Sequence, residues 1–142
     1  MSVDLSMRPA SPVRSTRPSP HRWLAVAAGA VAIPAVGGAV SLANGTIDMG
    51  ETIVDRFPWQ SVELAGLALF TCVAVPFCTL AVLAWRGSPL TGRSALVAGL
   101  LLVAWIAVQM VLIRTLSWFH PTYLAVGLWF AWVGGRMERG GR

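Results

Sequence analysis

V-E-L-A-G-L-A-L-F-T-C-V-A-V-P-F-C-T-L-A-V-L-A-W, residues 62–85, runs for 24 residues with one ionisable side chain, Glu63, at its edge. A helix rising about 1.5 Å per residue needs about 20 apolar residues to cross a hydrocarbon core of roughly 30 Å, and this run exceeds that length. Two more runs pass the same test: 23–43 and 95–113 contain no ionisable residue, and Gln109 is the most polar member of the second. A fourth, 121–135, is shorter. A span there, about 117–135, must also use Ser117, Trp118 and Phe119 or draw on local thinning of the bilayer. Apolar character on all faces, without alternation about every second residue, points to helices and not to barrel strands.

Composition agrees with this reading. Charged residues make up 12% of the chain and hydrophobic ones 56%, against roughly 25% charged in a soluble domain. The expected fold class is therefore all-α: an integral membrane four-helix bundle with spans at about 23–43, 62–85, 95–113 and 117–135. Outside the spans lie a basic Pro-rich tail (1–22), an outer loop (44–61) and a basic C-terminal tail (136–142).

Orientation follows from the arginines, because cytoplasmic flanks of spanning helices are enriched in positive charge. Arg8, Arg14, Arg17 and Arg22 lie before the first run, Arg86 and Arg93 between the second and third, and Arg136, Arg139 and Arg142 after the fourth. Only Arg56 and Arg114 fall on the other side. Both termini are expected in the cytoplasm, in a multi-pass protein of the cytoplasmic (plasma) membrane. Trp23, Trp59, Trp85 and Trp118 stand near span ends, where indole rings favour the headgroup region. A rival reading treats the first run as a cleaved secretory signal ending at Ser41 and Ala43. Its apolar stretch is longer than the roughly 7 to 15 residues usual there.

The tail holds Pro9, Pro12, Pro18 and Pro20 among serines and arginines, a composition that should stay disordered. Its Arg8, Arg14, Arg17 and Arg22 are candidate contacts for anionic lipid, at about 1 kcal/mol each near the surface, besides setting topology. The net charge of +5 is divided among separate segments with no folded basic domain, so nucleic acid is not an expected partner.

Asp48, Glu51 and Asp55 follow at i, i+3 and i+7, and Met49, Ile53, Val54 and Phe57 take the opposite side. A short amphipathic helix on the outer membrane surface accounts for both faces; a calcium or magnesium site is the alternative. Cys72 and Cys78 lie six residues apart around Pro76, too far along one helix to pair and without a C-x-x-C pattern, and read as buried small hydrophobes. Haem would need two histidines within the spans, whereas His21 lies in the tail and only His120 is near one. No cofactor is implied. No nucleophile has a base at usable spacing, so an enzyme is not expected.

The polar groups expected at one depth near the outer surface are Glu63, Gln109, Arg114 and His120. As a cluster they suit ligand or headgroup binding, or proton-linked transport; as separate residues they anchor span ends. Pro34 and Pro76 predict kinks. Two stripes of small residues, Gly37, Ser41 and Gly45 in the first run and Gly127, Ala131 and Gly135 in the fourth, predict close helix approach within the chain or against a larger partner.

The tail, the four runs, A-W-R-G-S-P at 84–89 and S-W-F-H-P-T-Y at 117–123 together resemble small four-span membrane proteins of high-GC Gram-positive bacteria. That resemblance implies the layout and no activity or site residue. The layout is shared by four-span disulfide and quinone redox proteins, whose C-x-x-C is missing here. The expected role is a non-catalytic accessory or scaffold subunit of a larger membrane assembly; the alternative is an oligomeric transporter or channel component with an outward-facing polar pocket.

Overall fold

A computed structural model of the chain describes residues 21–46, 61–113 and 118–140, and among these every regular element is helical. Helix α1 spans Arg22–Ala43, α2 Val62–Trp85, α3 Thr91–Ile113 and α4 Phe119–Gly140. The first three are long and apolar enough to cross a membrane. The fourth, which takes in Arg136, Glu138 and Arg139, does not reach that apolar length. Residues 1–20, 47–60, 114–117 and 141–142 lie outside the described set. With them go the expected disordered tail, the outer amphipathic helix, Asp48, Glu51 and Asp55, and Arg114.

Local sequence sets the helix ends. Gly45 and Gly87 are left-handed, with φ of 65° and 64°. Each follows a helix and allows the six-to-one bond of a Schellman stop, Thr46 N–H to the Ser41 carbonyl (3.0 Å) and Ser88 N–H to the Leu83 carbonyl (2.9 Å). At the start of α2 the Ser61 hydroxyl accepts from Leu64 N–H, with Glu63 in the first turn complementing the helix dipole. Between α2 and α3 the buried Thr91 hydroxyl donates to the Ser88 carbonyl at 2.7 Å and Ser88 Oγ accepts from Leu90 N–H. The A-W-R-G-S-P motif is thus a helix stop followed by a capped restart.

Pro76 changes α2 without breaking it. Proline has no N–H to return to the Cys72 carbonyl, and its ring crowds that oxygen. The helix answers by widening over Phe70–Ala74 into one π-helical turn, in which Val75 N–H reaches back five residues to the Phe70 carbonyl.

The helices run up and down in two antiparallel pairs, α1 with α2 and α3 with α4, joined mainly through α2 and α3. His21 N–H donates to the Ala84 carbonyl across the start of α1 and the end of α2. The face that α1 buries is Ala25, Ala28, Ala32, Ala35 and Ala39, a three-four repeat. This differs from the expected stripe: Gly37 is exposed, nothing would meet a Cβ there within 4 Å, and Gly45 lies beyond the helix.

In the α3–α4 pair the backbones touch. A Cβ on Gly99 would collide with Gly127 and Ala131, and one on Gly134 with Gly92 and Leu96. Gly127 and Ala131 therefore act as expected, but Gly134 takes the place assigned to Gly135, which faces open space. At about 100° per residue, seven residues fall 20° short of two turns and eight overshoot by about 80°. On a nearly antiparallel neighbour only the seven-residue step keeps the same face inward. Phe77 and Phe130 meet edge to face across the centre, with centroids 4.9 Å apart.

The core is small inside and large outside. Among the described residues, nine of the eighteen buried hydrophobic ones are alanine, whereas Ile33, Val111, Val26 and many other large apolar side chains stand exposed, Ile33 at 75%. Cys72 packs partly against the core and Cys78 is exposed, so the expectation of two buried thiols holds for neither in full.

Candidate ligand cavity

A cavity of about 370 Å³ is lined by all four helices. Helix α1 contributes Val31, Pro34 and Ala35, and α2 contributes Leu69 and Val73, the second of them in the π-helical turn. Leu102, Trp105, Ile106 and Gln109 come from one stripe of α3, at steps of three, one and three; Phe119, His120 and Tyr123 come from the first turns of α4. Most of the wall is apolar. Its lining residues with polar side-chain groups are Trp105 (indole N–H), Gln109, His120 and Tyr123, from the second half of α3 and the start of α4.

Of the four residues expected to cluster, the structure brings Gln109 and His120 to one cavity. His120 is 9% exposed. Glu63 is exposed in the first turn of α2 and does not line the cavity. Tyr123 and Trp105 belong to the wall and were not singled out from the sequence. Their signal was present: Tyr123 stands three residues beyond His120 and Trp105 four before Gln109, each on the same helical face as its partner.

Beside the cavity, a groove of about 460 Å³ follows the seam between α1 and α4. It shares Val31, Phe119 and Tyr123 with the cavity and continues along Ala27, Ala30, Val126 and Trp129. Trp23 and Trp129, with ring centroids 5.7 Å apart, join α1 to α4 toward the opposite end.

The other end of the bundle is basic. Arg22, Arg86, Arg93, Arg136 and Arg139 gather there with Glu138 as the only described acid, and Arg93 Nε lies 3.4 Å from Glu138 Oε2. This exposed pair contributes less than about 1 kcal/mol. The Arg22 guanidinium stands 5.7 Å from the Trp85 ring and Arg136 stands 4.7 Å from Trp132. Arg22 is thus the only described member of the candidate anionic-lipid set. Among the described residues no three His, Cys, Asp or Glu side chains gather as a metal site. Compared with family models, curated proteins and solved structures, the chain matches none.

Proposed function

We propose that the chain is a four-span protein of the cytoplasmic membrane with both termini inside, acting as a non-catalytic accessory or scaffold subunit of a larger membrane assembly. Lipid as solvent is supported by the inverted size pattern, because small residues allow close helix packing where large apolar ones lose nothing by facing acyl chains. The five arginines at one end support that end as cytoplasmic. The α4 helix crosses with fifteen uncharged residues from Pro121 to Gly135, extended by its aromatic start.

One observation carries the accessory role. The outward face of α1, Val26, Ala30, Ile33, Gly37 and Val40, is exposed, and Gly37 has open space where Gly99, Gly127 and Gly134 of the α3–α4 pair are packed. The face sets Ala30 and Gly37 among β-branched side chains, and the glycine offers a partner helix one point of close approach. Mild-detergent purification of the tagged protein should bring down a larger partner in fixed stoichiometry, and Gly37→Leu should release it. A homogeneous homo-oligomer without a partner would count against the reading.

A second reading, a transporter or channel component working as an oligomer, is favoured by Gln109 and His120 sharing a cavity. It predicts solute flux in reconstituted vesicles that Gln109→Leu and His120→Ala abolish. Flux unchanged by both would remove it.

A further inference from the structure

We propose that the cavity and the seam beside it hold one neutral amphiphile, its oxygen-bearing head among Gln109, His120 and Tyr123 and its apolar tail between α1 and α4. The inference rests on the membrane reading above, since the seam must open to acyl chains. Two adjoining spaces with different chemistry carry it. The cavity has polar groups gathered at one part of an otherwise apolar wall, and its volume falls in the range of about 300–1,000 Å³ usual for small-molecule sites. The seam is apolar along α1 and lies against the cavity, with Val31, Phe119 and Tyr123 in the walls of both.

Charge decides the class of head. No Asp, Glu, Lys or Arg lines either space. A phosphate or carboxylate placed there would lose its hydration without a fixed opposing charge, which disfavours phospholipids and fatty acids. Carbonyl and hydroxyl oxygens avoid that cost and can accept from the Gln109 amide or the Tyr123 hydroxyl. Trp105, Phe119 and Tyr123 add aromatic faces to the same wall. Lipid-soluble quinones and monoacylglycerols share this head chemistry, and the test separates them.

The full chain is reconstituted in phosphatidylcholine vesicles and checked for flotation and resistance to alkaline wash. Decylubiquinone is then titrated against tryptophan fluorescence, with 1-oleoylglycerol and ionised oleate as competitors. Saturable quenching is expected, weakened about tenfold by Gln109→Leu through loss of one hydrogen bond, reduced by Ala35→Leu, and unchanged by Gly37→Leu. Competition by 1-oleoylglycerol would mean that any neutral oxygen head is accepted, and its failure would assign the aromatic dione; either supports the site. Quenching that rises linearly with mole fraction, oleate competing as well as the neutral lipids, or a Gln109→Leu protein of unchanged helicity and unchanged affinity would each overturn it. A chain that integrates but does not bind refutes this inference alone. One that fails to float refutes the membrane reading with it.

Discussion

Replacing Gly134 by alanine should loosen the α3–α4 pair, whereas the same change at Gly135 should not. A methyl carbon at Gly134 would sit 2.6 Å from the Gly92 carbonyl oxygen and 2.9 Å from Leu96 Cα. Carbon and oxygen settle at about 3.3 Å even in favourable contacts, so the two backbones must part by at least roughly 0.7 Å, and further to clear the Leu96 nitrogen, which lies nearer still. A gap of about that size forfeits a quarter to a half of each dispersion contact along the seam. Overpacking of this kind costs about 1–3 kcal/mol. Against this stands the helix preference for alanine over glycine, about 0.8–1 kcal/mol in water, which Gly135→Ala gains as well because nothing lies within 4 Å of its Cβ. The difference between the two variants cancels that preference and isolates the contact, at about 2 kcal/mol or more. Reversible unfolding in mixed micelles, followed by tryptophan fluorescence as denaturing detergent is raised, measures it. Two variants that unfold within about 0.5 kcal/mol of each other would refute the backbone contact and with it the helix pairing.

The same titration should find Phe77→Ala destabilising by about 3 kcal/mol, from a fully buried ring, and a double-mutant cycle with Phe130→Ala should return a coupling of about 0.5–1.5 kcal/mol for the edge-to-face pair. Gly87→Ala should cost about 1–2 kcal/mol, because alanine resists the left-handed backbone at φ 64°, and Gly87→Asn should cost less; equal effects of the two would point away from the turn. In a background of Cys72→Ser and Cys78→Ser, Thr46→Cys should react with an impermeant maleimide on intact cells and Arg86→Cys only after permeabilisation, and the reverse pattern would invert the proposed topology.

Where the helices lie was legible from the sequence, because apolar length is a one-dimensional property and every residue advances a helix by the same rise. The bias of arginine to one end of the bundle was legible for a similar reason: alternate ends of successive helices must share a side. Rotation of each helix about its own axis was not. In a water-soluble bundle polarity marks the outer face, but runs apolar on all sides carry no such mark, and the choice falls to residue size and to the crossing of neighbouring backbones. Hence Ala25, Ala28, Ala32, Ala35 and Ala39 turn inward while Gly37 does not, and Gly134 serves where Gly135 was expected. The three-four alanine repeat was a readable signal; the one-residue choice between Gly134 and Gly135 depends on the angle at which α3 and α4 cross. The same indeterminacy governs the site. Glu63, Gln109 and His120 could all be assigned to one end of the bundle from their places along the chain, but only the packed helices turn Gln109 and His120 into a common cavity and leave Glu63 outside it. Pro76 announced a distortion in α2, and its form as a π-helical turn became visible only once the surrounding helices held the segment continuous.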